Sequence, residues 1–331
     1  MRPTSTSIAT ALTPVPVLLH DDAERERARF LDEVRRGLSR THKTLPTEFL
    51  YDARGSQLFD AICELPEYYP TRTELAIMRE HMPAIAAALG SGITLVEYGS
   101  GSSLKTRLLL DELSSIAAYV PVDISREHLM GAAASLRREF PGLRVEPVCA
   151  DFTSAFDVPV PRSAGRRVVY FPGSTIGNFE PEAAAGLLRQ MARIAGDDGG
   201  LLVGVDLRKP VAVLEPAYND AAGVTAAFNL NLLRRIDREL GGDFDLSRFE
   251  HRAYFDEQHG RIVMTLVSRC AQLVTVGGQR FRFAEGETIR TEYSHKYTLE
   301  GFAALAGQAG LRVEQVWTDP QQWFSVQLLR R

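Results

Sequence analysis

The sequence contains few cysteines, no long apolar run and no excess of positive charge. Its three cysteines, Cys63, Cys149 and Cys270, lie far apart and outside any C-x-x-C pair, which argues against a disulfide framework and structural zinc and favours a reducing cytoplasm. No apolar stretch approaches the length of a membrane span. The net charge of −4 provides no basic surface for nucleic acid or anionic lipid. A globular enzyme with neither kind of partner is therefore expected.

The size of the chain also limits the possible architectures. With 331 residues, of which 45% are hydrophobic and 24% charged, it can bury a large core in one elaborate domain or two smaller ones. Residues 1–20 are interpreted as a flexible tail, because their short apolar run at 15–19 is interrupted by proline and lacks a convincing cleavage site.

Residues 93–113 predict a strand, a glycine turn and a helix, and ligands bind beyond such a strand in open α/β sheets. Leu104 excludes two other ligand loops. A phosphate-binding P-loop needs glycine at this position, and a dinucleotide-binding loop needs glycine or alanine there. What remains is Glu97-x-Gly99-x-Gly101, which resembles motif I of the class I methyltransferases that bind S-adenosylmethionine (SAM). Taken alone, this short motif is equally compatible with a purely structural turn.

Alternating strands and helices surround this turn. Strands are predicted at 93–97, 117–124, 144–150, 166–171 and 201–206, with helices between them, which is typical of a parallel doubly wound sheet. Segments 311–317 and 323–329 predict a final antiparallel pair, giving seven strands. Residues 210–240 read as helical, and glycine-marked hairpins follow, so this span is interpreted as an insertion. Near the start, Asp21 is predicted to cap one helix and Thr73 another that reaches Leu89.

Five blocks of sequence point to a particular family. They are LYDARGSQLFDAICELPEYYPTRTE, VEYGSGSSLKT, FPGSTIGN, AYNDAAGVTAAFNLN and TEYSHKY. In this order they closely resemble the histidine-specific Nα-methyltransferases of ergothioneine biosynthesis, over about residues 24–330. The resemblance implies an α/β fold with a Rossmann-like seven-stranded class I methyltransferase core at 86–207 and 297–331. It also implies a second, discontinuous α+β substrate-binding domain formed by 21–85 and 208–296.

The same resemblance implies roles for individual residues. The SAM site would comprise Gly99, Gly101, Lys105, Asp123, Asp151 and Phe152. Asn178 and Tyr218 would bind the carboxylate of histidine, and Tyr51 and Tyr68 would lie at its α-amine as the catalytic residues. Glu292 and Ser294, which are two residues apart on one strand and so share a face, would bind the imidazole. The remaining wall would be Phe59, Gly173 and Met264, and no metal is expected.

The residue types suit this chemistry independently of the family. Methyl transfer to an amine needs positioning and a deprotonated nitrogen rather than a covalent nucleophile, and tyrosine rings attract methylated ammonium groups. Together with this chemistry, the resemblance implies SAM-dependent trimethylation of L-histidine to hercynine, and a cytoplasmic monomer is expected. The alternatives are methylation of another aromatic amino acid such as a tryptophan derivative, a regulatory SAM-binding module, and an NAD-linked dehydrogenase. Neither residue needs a functional explanation: Tyr68 could simply be packed in a half-buried position, and Glu292 could lie on the solvated face of an edge strand.

Overall fold

The computed structural model describes residues 20–100, 104–113 and 115–331. Within those ranges the α-helices are α1 His20–Leu38, α2 Ala53–Cys63, α3 Tyr69–Leu89, α4 Leu104–Glu112, α5 Arg126–Glu139, α6 Pro181–Ala195, α7 Val211–Leu214, α8 Val224–Leu240 and α9 Leu299–Gln308. The strands are β1 Lys43–Thr44, β2 Ile93–Tyr98, β3 Ile116–Asp123, β4 Val148–Cys149, β5 Arg166–Phe171, β6 Gly200–Asp206, β7 Phe249–Asp256, β8 Arg261–Ser268, β9 Gln272–Val276, β10 Gln279–Phe283, β11 Thr288–His295, β12 Arg312–Thr318 and β13 Phe324–Arg330. The predicted tail, apart from His20, lies outside the described residues.

The larger sheet has seven strands in the order β12-β13-β6-β5-β2-β3-β4. Strands β2 to β6 run parallel, while β13 pairs antiparallel with both β6 and β12. Every residue of β2 and β6 is buried, as expected for central strands covered by helices on both faces. The predicted Rossmann-like seven-stranded α/β architecture, with its antiparallel final pair, is confirmed.

Three predicted boundaries were wrong, two of them because of proline. Helix α3 begins at Tyr69 rather than at a Thr73 cap, since Pro70 occupies the first turn, where its missing N–H is not needed. The predicted strand at 144–150 is reduced to Val148–Cys149 and a single bridge at Val145, because Pro147 between them has no N–H to donate. Asp21 lies inside α1 and does not precede it.

A second sheet, in the order β1-β11-β8-β7, packs against helices on the other side of the cavity described below. Its first strand comes from the N-terminal segment and pairs in parallel with β11, through Lys43 with Ile289 and Thr44 with Arg290. Helix α1 contributes Phe30, Val34 and Leu38 to the same hydrophobic core as α8 and β8. The two segments are therefore joined by hydrogen bonds and by a shared core, while the predicted domain boundaries stay a prediction.

Candidate active site

A cavity of about 410 Å³ lies where the carboxyl ends of β2 and β5 face helix α2 and strand β11. This volume is within the usual range for small-molecule sites. It is lined by most of the predicted site residues: Tyr51, Phe59, Tyr68, Gly99, Lys105, Gly173, Asn178, Tyr218, Glu292 and Ser294. The fold thus brings together residues that are up to 243 positions apart in the sequence, from Tyr51 to Ser294.

The glycine turn begins directly after β2. Gly99 has a φ of +70°, which favours glycine, and its N–H donates to the carbonyl of Val122 on the neighbouring β3 at 2.8 Å. Among the described residues, the atom nearest to a Cβ at Gly99 would be a ring carbon of Phe152 at 3.8 Å, so this part of the chain leaves the space above the turn open. The residues present therefore fit a ligand that approaches the backbone closely. Gly101 lies outside the described residues.

Glu97, the acidic residue of the glycine motif, is buried beneath the turn. Its carboxylate accepts hydrogen bonds from the Thr106 hydroxyl at 2.7 and 2.6 Å and from the Tyr119 hydroxyl. Burial raises the pKa of Glu97 to about 7, against the opposing effect of these two hydrogen bonds. Glu97 therefore ties the first turn of α4 to β2 and β3, which fixes the loop between them.

Lys105 is held at the cavity wall by a carboxylate that sequence reasoning missed. Its ammonium forms an ion pair with Glu74, which is 0% exposed and accepts the N–H of Gly173 at 3.0 Å. The pair connects α4 to α3 and to the turn after β5. Lys105 is thus a fixed part of the wall and not a surface residue, since its side chain is 17% exposed.

Gly204 on β6 makes room for this arrangement. A Cβ there would lie 2.2 Å from the Gly173 carbonyl oxygen and 2.7 Å from a Glu74 carboxylate oxygen. Because backbone cannot move aside cheaply, we expect Gly204→Ala to lower the free energy of unfolding by about 1–3 kcal/mol. Gly131→Ala on α5, where a Cβ would meet no described residue within 4 Å, is the matched control and should gain up to about 1 kcal/mol. Urea denaturation checks both, and equal stabilities would contradict the steric argument.

Four aromatic rings form one continuous wall of the cavity. Ring centroids are 5.5 Å apart for Tyr51 and Phe59, 6.2 Å for Phe59 and Tyr68, and 6.2 Å for Tyr68 and Tyr218. Burial raises the pKa of each of the three phenols above its usual value. The phenols are therefore neutral at physiological pH, and a neutral phenol can serve as a hydrogen-bond partner and a π face but not as a base.

Strand β11 presents Glu292 and Ser294 to the opposite side of the cavity. The ladder with β8 shifts register between Arg290 and Glu292, so Thr291 is the extra residue of a β-bulge. Because of the bulge, Glu292 and Ser294 lie on the same face of the sheet as Ile289. Without it, strict alternation along the strand would place them on the opposite face. Burial raises the pKa of Glu292 to about 7, although the attraction of Lys296 opposes the shift.

Asn178 ends a short 3₁₀ helix, Thr175–Asn178, that follows β5. The helix is fixed from below, because the His295 imidazole donates from Nδ1 to the carbonyl of Gly177 at 2.8 Å and the Ser174 hydroxyl accepts the N–H of Asp206 at 3.0 Å. The Asn178 side chain therefore lies at the cavity on a segment that both sheets hold in place.

Four predicted site residues do not line this cavity. Asp123 accepts the N–H of Ser125 at 2.9 Å, and Asp151 accepts the N–H of Thr153 at 2.9 Å, so each carboxylate also stabilises a local turn. Phe152 packs against Tyr98 with centroids 5.3 Å apart. All three lie at the carboxyl edge of the larger sheet, and their assignment to the SAM site stays a prediction.

The fourth, Met264, is 2% exposed in the hydrophobic core and pairs with Glu292 across the ladder. It therefore lies beside Glu292 in the core and does not line the cavity.

A buried lysine behind the cavity was also missed. The Lys296 ammonium donates to the Tyr218 hydroxyl at 2.8 Å and to the Ser294 hydroxyl at 2.7 Å, and it pairs with Asp206 at 2.8 Å. Its position two residues after Ser294 is the signal that could have identified it, because residues so spaced share a face of a strand.

The described residues contain no cluster of His, Cys, Asp or Glu that could hold a metal ion. Across the same parts of the chain, no helix combines the length and apolarity needed to cross a membrane. The predicted absence of a metal stays a prediction.

Comparison with known proteins gives a consistent match. A family model described as histidine-specific methyltransferase, SAM-dependent, matches residues 30–331. The chain is 45% identical over 304 residues to histidine N-alpha-methyltransferase of Mycolicibacterium smegmatis, covering 90% of this chain and 94% of that protein. It is 42% identical over 301 residues to the protein of the same name from Mycobacterium tuberculosis, covering 89% and 93%.

A more distant relative and one solved structure extend the comparison. Ergothioneine biosynthesis protein 1 of Neurospora crassa is 31% identical over 287 residues, which cover 83% of this chain and 32% of that protein. The CcbJ methyltransferase of Streptomyces caelestis aligns with a TM-score of 0.49 and 17% identity, covering 85% of this chain and 99% of that one.

Proposed function

The chain belongs to the family of histidine-specific, SAM-dependent methyltransferases, and on this premise we propose that it trimethylates the α-amino group of L-histidine to give hercynine, a step of ergothioneine biosynthesis. One observation carries the proposal. A single cavity joins an aromatic wall, which suits an amine that becomes a quaternary ammonium, to polar groups on β11 and on the 3₁₀ helix that suit the two ends of histidine.

The proposed pose assigns each end of the amino acid to a different element. Asn178 and Tyr218 bind the carboxylate, because an amide N–H and a phenol O–H are both donors. Glu292 accepts an imidazole N–H, and Ser294 contacts the same ring. The hydroxyl oxygens of Tyr218 and Ser294 are only 2.9 Å apart. The carboxylate and the imidazole of the substrate therefore lie close together in this pose, which suits a compact amino acid.

The amine then lies against Tyr51 and Tyr68, with Phe59 closing the wall. Because both phenols are half-buried and neutral, each can accept a hydrogen bond from an amine N–H and so direct the nitrogen lone pair. Their rings also attract the growing ammonium group as it gains methyls. The chain's part in each round is thus to orient the nitrogen and exclude bulk water. After the third round nitrogen has no lone pair left, and the reaction stops.

Residues at the carboxyl edge of the larger sheet suit the methyl donor. The open turn at Gly99, the fixed ammonium of Lys105 and the edge residues Asp123, Asp151 and Phe152 would hold SAM. When bound there, SAM supplies an electrophilic methyl group.

Mass spectrometry of the purified protein incubated with SAM and an equimolar mixture of all twenty amino acids tests the proposal. A gain of three methyls on histidine alone is expected. Methylation of a different amino acid would contradict the assignment of Glu292 and Ser294, whereas histidine that gains only one or two methyls would contradict the trimethylation.

A further inference from the structure

The strongest feature outside the assigned contacts is the environment of Lys296. Its side chain is 0% exposed, so it cannot touch solvent or substrate directly. An ammonium has three N–H donors, and here each has an acceptor: Asp206 at 2.8 Å, the Tyr218 hydroxyl at 2.8 Å and the Ser294 hydroxyl at 2.7 Å. Lys296 is therefore saturated by the protein.

The two hydroxyls that accept from Lys296 are also bonded to each other, with an oxygen separation of 2.9 Å. Each hydroxyl carries one hydrogen, and a hydrogen bond between them uses only one of the two. The other hydrogen cannot point at Lys296, because an ammonium does not accept hydrogen bonds. Since both Tyr218 and Ser294 line the cavity, the remaining hydrogen is available to a group inside it.

We propose that Lys296 is a positioning residue: with Ser294 donating to Tyr218, it turns the Tyr218 hydroxyl hydrogen into the cavity and makes it a strong donor for the carboxylate of the substrate. The inference rests on the proposed function, in which Tyr218 binds that carboxylate. Lys296 thereby gives the site its preference for an α-amino acid over an amine of the same shape that lacks the carboxylate. A buried positive charge behind the donor strengthens this preference, since hydrogen bonds to charged groups are stronger than neutral ones.

Asp206 fixes Lys296 in this orientation. Asp206 is 0% exposed at the end of β6 and also accepts the Tyr69 hydroxyl at 2.7 Å and the Lys209 ammonium at 2.5 Å. Although burial alone would raise the pKa of Asp206, the two lysines hold it below its usual value. Asp206 therefore remains a carboxylate and anchors Lys296 whether or not the cavity is filled.

Lys209 provides a matched control for Lys296. It is 1% exposed and donates to the same Asp206, but its other contacts are the Tyr69 hydroxyl and the carbonyl of Leu207. A Lys209→Met variant thus removes an equally buried charge from the same carboxylate without touching Tyr218 or Ser294.

The experiment compares Lys296→Met, Lys209→Met and the wild type. For each, the KM for histidine is measured together with the inhibition constant of histamine, which has the imidazole and the amine but no carboxylate. We expect Lys296→Met to raise the histidine KM by about 10- to 100-fold, with the histamine constant changed by less than about 3-fold. Lys209→Met should leave the ratio of the two constants near that of the wild type.

Several outcomes would overturn the inference. One is a Lys296→Met variant in which the ratio of the histidine KM to the histamine inhibition constant is unchanged, including the case in which both ligands bind equally more weakly. The other is a Lys209→Met variant in which this ratio changes as much as in Lys296→Met. Should Lys296→Met not fold, Asp206→Asn provides a second test, because it keeps the shape of the side chain but weakens its interaction with Lys296. An unchanged ratio of the histidine and histamine constants in Asp206→Asn would also overturn the role of Lys296. A wild type that does not methylate histidine would instead contradict the proposed function, so the two failures are distinguishable.

Discussion

Replacing Asn178 by aspartate should weaken histidine binding by about 100-fold or more. Asn178 lies at the cavity on the 3₁₀ helix after β5. The substitution keeps the shape of the side chain but exchanges an N–H donor for a second negative charge. Two carboxylates would then face each other in a half-buried site. Steady-state kinetics should show the increase in the KM for histidine, with the KM for SAM changed by less than about 3-fold.

Two controls separate charge from shape. Asn178→Ala removes the donor without adding charge, so its effect should be smaller, about 10-fold. Inhibition by histamine should be preserved or improved in Asn178→Asp, because an amine without a carboxylate is not repelled. Equal increases in the KM values for histidine and for SAM in Asn178→Asp would contradict the assignment of Asn178 to the substrate carboxylate.

Replacing Glu292 by glutamine should lower kcat/KM for histidine by about 100- to 1,000-fold, because an amide is a weaker acceptor than a carboxylate for an imidazole N–H in a buried site. Discrimination against tryptophan should fall as well. Glu300→Gln on the exposed face of α9 is the control for the same chemical change and should have no effect. Unchanged discrimination in Glu292→Gln would contradict the role of Glu292 in specificity.

The same variant should be more stable than the wild type. Burial raises the pKa of Glu292 from its ordinary value of 4.5 to about 7. The folded state therefore binds the proton more tightly, so the stability contributed by protonated Glu292 is present below pH 4.5 and is lost as the pH rises through about 7. Glutamine does not ionise and has no such loss. The free energy of unfolding of Glu292→Gln should therefore exceed that of the wild type by an amount that grows over this pH range to about 1–3 kcal/mol. Urea denaturation at pH 5 and pH 8 measures it, and an advantage equal at both values would contradict the argument.

Elements whose signals are local were predicted well. Strand β5 has the predicted bounds, helix α6 lies between β5 and β6 as predicted, and the glycine turn after β2 is present up to the limit of the described residues. Their signals are runs of apolar residues, a helix-starting proline and glycines, all contained within about a dozen residues. The parallel sheet with its antiparallel final pair followed because alternating strands and helices permit few topologies.

What could not be predicted depends on contacts between distant segments. Glu74 meets Lys105 only because α3 packs beside α4, and Asp206 meets Lys296 only because β6 ends beside β11. No local pattern distinguishes a buried charged side chain from a solvated one until its partner is known. The β-bulge at Thr291 has the same character, since it exists only in relation to the register with β8.

The parallel pairing of β1 with β11 has a consequence for how the protein is made. Lys43 and Glu287, which form an ion pair beside this pairing, are 244 residues apart in the chain. During synthesis from the N-terminus, the early aromatic residues of the cavity wall must wait for β11 to emerge from the ribosome. Such long-range closure makes folding slow. Histidine binding should accordingly be the last property regained on refolding, after the helical signal has recovered.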